Sequence, residues 1–203
     1  MSASNSSVRP SLKVDLSRSR ALIVDDSPDH RGLISRILSS FGLNRQEKRD
    51  SLASAKEAIY LQEFDLMLVE AAINGADGFE FVRWLRRFAP EPNRYCPVLM
   101  VTSATQRDRV AEARDAGANF VVAKPVTPGV LMERIVWVGK DQRHFVETNS
   151  YAGPDRRFQH FGPPVGTKGR RKDDLAPEIG AASEPNMSQG QIDMLIKPMK
   201  VNL

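Results

Sequence analysis

Five side chains that carry charge or a reactive hydroxyl stand at the ends of short apolar runs. Asp25 and Asp26 follow Ala21-Leu22-Ile23-Val24, and Glu70 closes Leu66-Met67-Leu68-Val69. Thr102 follows Val98-Leu99-Met100-Val101, and Lys124 follows Phe120-Val121-Val122-Ala123. Carboxylates brought together repel one another, and a hard divalent cation or a lysine relieves that repulsion. Two readings of Asp25, Asp26 and Glu70 follow: a Mg2+ site, or an acidic pocket neutralised by Lys124. An Asp-Asp pair alone says little, because loops are full of acids; the ordered set, each member at a run end, says more. The chain has one cysteine and three scattered histidines. It offers no nucleophile–base pair and no thiolate or imidazole cluster, so no catalytic residue is assigned and an enzyme finds little support.

The elements that must position this set are legible from period and composition. Runs of this length, rich in branched residues, suit strands buried on both faces. Between and after them lie amphipathic segments. Leu33, Ile34, Ile37, Leu38 and Phe41 form one helical stripe before Gly42, and Phe79, Val82, Leu85 and Phe88 form another before Pro90. Arg107 to Ala116 reads as a charged helix stopped by Gly117, and Val130, Leu131, Ile135 and Val138 mark a last one after Pro128. A further helix is expected near Ser54 to Leu61. The charged segment Asn44 to Arg49 is placed as a strand at a sheet edge. Strands alternating with helices imply a doubly wound five-stranded parallel sheet over residues 19–140. Such sheets form sites at the carboxyl ends of their strands, which is where all five side chains fall.

The remainder is polar. Residues 1–18 read as a disordered leader without a signal peptide's apolar core. Residues 141–186 read as a largely irregular basic, Gly/Pro-rich extension, and residues 187–203 as a tail with a short amphipathic helix. Residues 140–172 hold eight Lys or Arg against three acids, and residues 173–203 five acids against two Lys. No apolar run is long enough to span a bilayer. Cys96 is the only cysteine, which excludes an intrachain disulfide and fits a reducing, cytoplasmic setting.

The motifs in order resemble the receiver domain of bacterial response regulators. Ile23-Val24-Asp25-Asp26-Ser27 looks like the family's acidic turn, and Asp65 to Glu70 with Ala76-Asp77-Gly78 like its phosphoacceptor strand and loop. Val101-Thr102-Ser103-Ala104 looks like its switch hydroxyl motif, and Gly117-Ala118-Asn119 through Ala123-Lys124-Pro125 like its closing lysine motif. The resemblance implies a flavodoxin-like receiver fold in a two-component system. It also aligns the phosphoacceptor aspartate with Glu70 and the aromatic switch residue with Val121. A non-phosphorylatable pseudo-receiver follows. Glu70 either imitates the phosphorylated state by reaching Lys124 or Thr102, or is a tolerated relic. A regulator that accepts phosphate at another side chain is the conventional alternative.

Two segments beyond the domain carry further readings. Tyr151-Ala152-Gly153-Pro154-Asp155-Arg156-Arg157 looks like a tail motif of some receiver-like proteins, and Arg170-Arg171-Lys172-Asp173 matches the Arg-x-x-Asp pattern of cyclic-di-GMP inhibitory sites. Arg156, Arg157, Arg170, Arg171 and Asp173 are therefore candidates for a phosphate ligand such as cyclic-di-GMP, with nucleic acid or an anionic membrane less expected. A basic linker packed on the domain's own acidic surface is the plainer reading. In the tail, Ser188 and Gln191 make a capping box, with Met187 and Ile192 placed as a hydrophobic staple. Ile192, Leu195, Ile196 and Met199 line one side. A helix this short orders only against a groove. Ser188, Gln189, Ile192, Asp193 and Leu195 resemble the receiver-binding N-terminal peptide of the flagellar motor switch protein. That resemblance implies docking on a face made by Arg107–Ala116, Phe120–Ala123 and Val130–Val138, in this chain or in a partner receiver. The resulting expectation is an adaptor for other signalling proteins, in motility or chemotaxis.

Overall fold

The computed structural model describes residues 15–141, 143–156 and 186–196, without the side chains of residues 194–196. Its centre is a five-stranded parallel sheet of β1 (Arg20–Val24), β2 (Arg45–Arg49), β3 (Leu66–Glu70), β6 (Val98–Thr102) and β7 (Phe120–Ala123), in the order β2-β1-β3-β6-β7. Helices α1 (Pro28–Ser40), α2 (Leu52–Leu61), α3 (Gly78–Phe88), α4 (Arg107–Ala116) and α5 (Pro128–Gly139) cover it. Between β3 and α3 runs a small hairpin, β4 (Ala72–Ile73) and β5 (Ala76–Asp77). The inner strands are buried on both faces, as their unbroken apolar runs require. β2 is charged and lies at an edge, where only one flank pairs and side chains reach water.

Local signals set the helix starts. Ser27, Ser51, Asp77 and Thr127 each accept a hydrogen bond from a backbone N–H in the first turn of the helix that follows. Pro28 and Pro128 occupy first helical positions, where a missing N–H costs nothing. One stripe departs from its expected course. On α3, Phe79, Val82 and Leu85 face the sheet, but Phe88 is exposed while Arg86 and Phe81 are buried. Arg86 wins a buried place because its fork meets acceptors there: Nε donates to Gly117 O at 2.9 Å, Nη1 to Arg94 O at 2.8 Å and Cys96 O at 2.7 Å, and Nη2 to Asn119 Oδ1 at 3.0 Å. No carboxylate joins this set, and burial pulls the guanidinium's pKa down to about 10.

The basic extension holds a short hairpin near its start. Phe145–Glu147 (β8) and Ala152–Pro154 (β9) pair as an antiparallel hairpin packed on α3. Gly117 and Gly153 let it approach: a Cβ on Gly117 would lie 2.6 Å from Ala152 O, and one on Gly153 2.8 Å from Gly117 Cα. Tyr151 is buried, its hydroxyl donating to Pro154 O at 2.6 Å. Arg87 Nη2 donates to Asn149 O at 3.0 Å, and Arg94 pairs with Glu147 at 2.5 Å. The packed unit therefore takes in Phe145–Pro154 as well. Truncating Tyr151 to Ala is expected to cost about 3 kcal/mol of stability, seen as a lower urea midpoint. An unchanged midpoint would mean that the hairpin unfolds separately from the sheet.

Candidate functional site

Asp25, Asp26, Glu70, Thr102 and Lys124 all sit at the carboxyl rim of the sheet, because each follows or ends a parallel strand. Lys124 is the hub. Its ammonium donates to Asp25 Oδ2 at 3.1 Å, to the acceptor His30 Nδ1 at 2.8 Å and to Glu70 Oε2. Asp25 is 1% exposed and Glu70 9%, so these charges meet largely out of water. The other carboxylate oxygens are also engaged. Asp25 Oδ1 accepts from Ser27 N at 2.8 Å, and Glu70 Oε1 from Ala71 N at 2.8 Å. The longer glutamate side chain thus folds back on its own loop at one oxygen and grips the lysine with the other. It does not engage Thr102, whose hydroxyl accepts from Ala104 N at 3.0 Å. Asp26 turns away, accepting from Asn74 N at 2.8 Å. Gly78 permits the tight return behind Glu70: a Cβ there would stand 2.2 Å from Glu70 O.

A second constellation lies beside the first. The tail helix α6 (Gln189–Ile196) packs on α4 and β7. Its capping box is closed: Ser188 N donates to Gln191 Oε1 at 2.9 Å and Gln191 N to Ser188 Oγ at 3.4 Å. Ile192 is fully buried and joins the domain's core, with Met187 packed against it. Gln189 treats the sheet as a strand would. β7 is an edge strand, and the Gln189 amide accepts from Ala123 N at 2.8 Å and donates to Val121 O at 3.1 Å. Asp193 pairs with the buried Arg134 of α5, whose guanidinium also lies 5.6 Å from the Phe120 ring centroid. Before the helix, Met187 N donates to Thr105 O at 2.8 Å and Thr105 Oγ1 to Met187 O at 2.9 Å. Leu195 lies on α6, with its side chain outside the described residues.

The match to known proteins follows this geometry. The model of the response regulator receiver domain matches residues 21–136. The chain belongs to that family. A chemotaxis protein CheY of Pseudomonas aeruginosa is 34% identical over 116 residues, 57% of this chain and 92% of the relative. The response regulator protein PilR of the same organism is 32% identical over 120 residues, of which the match covers 26% of PilR. Among solved structures, the chemotaxis response regulator CheY4 of Vibrio cholerae is 27% identical, with a TM-score of 0.54, and the match covers 59% of this chain and 98% of that one. The BeF3-activated DrrB receiver domain, at 20% identity and a TM-score of 0.53, shares the fold.

Receivers are in general non-enzymatic signalling modules, and they typically hold Mg2+ at the acceptor site. In this receiver the expected donors do not fit a divalent cation. Lys124 takes the place between Asp25 and Glu70, and Asp26 is turned to Asn74. Among the described residues no group of three His, Cys, Asp or Glu side chains is arranged for a metal. Arg156 pairs with Asp115 and lies 4.1 Å from the Tyr151 ring centroid. Arg157, Arg170, Arg171 and Asp173 lie outside the described residues.

Several working residues escaped the sequence reading. Arg134 had a sign: it falls on the buried side of α5, three residues after Leu131 and four before Val138. His30 and Asn74 had none, because their partners, Lys124 and Asp26, reach them only in the fold. Thr105 resembles any loop threonine until the tail reaches it.

Proposed function

We propose that this receiver does not take a phosphoryl group and works as a protein–protein adaptor in bacterial signal transduction, in the cytoplasm and in a chemotaxis or motility setting. The observation that carries this reading is the Glu70–Lys124–Asp25 cluster at the acceptor position. A carboxylate already bound to the lysine, one methylene longer than aspartate, supplies a fixed negative charge where the family places a transient one. An acyl phosphate carries about −1.5 to −2 charges and three acceptor oxygens, by analogy with other phosphorylated side chains. Glu70 supplies one charge and leaves Thr102 to its own loop. The imitation is therefore partial, reaching the lysine and not the hydroxyl. The docked tail supports the second half of the reading: α6 occupies the face that a receiver offers to partners, so it competes from within for that face. Sensing of a phosphate ligand through the extension is the weaker reading, because Arg156 is already committed to Asp115 and Tyr151.

Acetyl phosphate with Mg2+ is expected to leave the intact mass of the protein unchanged. Glu70→Asp, with Asp26, Thr102 and Lys124 in place, is expected to regain part of the labelling. A gain of one phosphate on the wild-type chain would overturn the proposal. It would point to the conventional regulator with a different acceptor.

A further inference from the structure

We infer that the flank of helices α2 and α3 is the contact through which two copies of this chain pair, an inference that does not depend on the phosphorylation reading. Helix α3 carries two apolar sides. Phe79, Val82 and Leu85 face the sheet, while Phe81, Trp84 and Phe88 run along the side toward α2 at helical spacing. The start of this second stripe is covered. Phe81 is buried, and Trp84 meets Tyr60 edge-on with ring centroids 6.1 Å apart. Its end is bare: Tyr60 is 63%, Leu61 82% and Phe88 68% exposed. These are three of the four large apolar side chains most open to solvent among the described residues, and all three stand in the last turns of adjacent helices.

An aromatic stripe that begins in the core and ends in water is what one half of an interface looks like when its partner is absent. Two features select a second copy as that partner. First, the rim is mixed in sign. Lys56, 4.7 Å from the Trp84 ring centroid, adjoins Glu57 in the chain, and Arg87 precedes Phe88, with the exposed Glu91 three residues further on. A strongly acidic or basic partner would meet repulsion at some of these positions. A copy related by a two-fold axis can set Lys56 against the other copy's Glu57 and the reverse, since an isologous contact pairs residue i with j and j with i. Second, the size fits. Tyr60, Leu61, Trp84 and Phe88 form one apolar patch, and the largest patch on a typical monomer, roughly 300–600 Å2, is often functional. A standard interface needs about 800 Å2 per partner, so the patch supplies its centre and the charged rim the remainder. The α4–β7–α5 face is not available for pairing while α6 fills it.

Sedimentation equilibrium of the full chain, between about 1 and 200 μM, tests the inference across the affinity range of such interfaces. The wild-type chain is expected to rise from one chain mass to two. Leu61→Asp and Phe88→Asp are expected to remain monomeric throughout, a shift of at least tenfold in the dissociation constant. Both side chains are exposed, so the variants should fold, with circular dichroism as the check. Ile192→Asp, which alters the tail, is expected to dimerise like the wild type. A wild-type chain that stays monomeric at the highest concentration overturns the inference and leaves the patch to a different protein. A dimer that survives both aspartates overturns it as well, and a dimer lost only in Ile192→Asp would place the contact on the tail.

Discussion

Ile192→Asp is expected to free the tail helix and to bare the face beneath it. Ile192 is fully buried in the domain's core, and full burial of such a side chain is worth about 1.5–3 kcal/mol. Aspartate forfeits that and brings an unpaired charge into an apolar seat, which costs more. A loss above about 3 kcal/mol moves the docking equilibrium by more than a hundredfold. Tethering cannot recover it, since a linked segment acts at an effective concentration of millimolar order at best. Amide exchange should then rise across Gln189–Ile196, at Ala123, whose N–H bonds the Gln189 side chain, and on α4. Gln189→Ala tests the polar half. It leaves Ala123 N and Val121 O without the tail's amide, yet both lie at a sheet edge where water can replace it, so the effect should be smaller, about 1 kcal/mol. Equal protection in wild type and Ile192→Asp would mean that the tail does not hold this face in solution.

That prediction rests on features the sequence displayed unequally. The sheet was legible because its inner strands are buried on both faces, which forces unbroken apolar runs such as Leu66–Val69 and Val98–Val101. The rim followed from topology, since parallel strands carry their terminal residues to one edge. The tail's helix was legible from its caps. What stayed hidden depended on partners distant in the chain. Arg86 reads as an exposed helix arginine until Gly117, Arg94, Cys96 and Asn119 turn their acceptors toward it. The β8–β9 hairpin is short and carries Gly and Pro, so neither period nor propensity marks it. It exists because two glycines, Gly117 and Gly153, let two backbones touch. The division of labour among the three carboxylates was hidden as well. Their places at strand ends suggested that they converge, whereas Asp26 is claimed by the backbone of Asn74, and only Asp25 and Glu70 share the lysine.

Lys124→Met should therefore be the most damaging single change in the pocket. It keeps most of the side-chain volume and removes only the charge that Asp25 and Glu70 share. Removing one partner of a buried ion pair typically costs about 3–5 kcal/mol, because the remaining charge is stranded. Here two are stranded, although Asp25 keeps its bond from Ser27 N and Glu70 its bond from Ala71 N. The cost should stay in that range, read as a lower urea midpoint with an unchanged slope. Glu70→Gln alone should cost less, since the lysine retains Asp25 and the amide oxygen can still accept from Ala71 N. The double variant separates charge from packing. If repulsion between stranded carboxylates is the cause, Glu70→Gln placed on Lys124→Met should be nearly neutral or stabilising, a coupling within the roughly 0.5–3 kcal/mol known for residues in contact. Strict additivity would mean that the lysine acts through its methylene chain packed at the rim. The cluster would then be a tolerated remnant of an acceptor site, and its fixed charge would carry no signal to the tail.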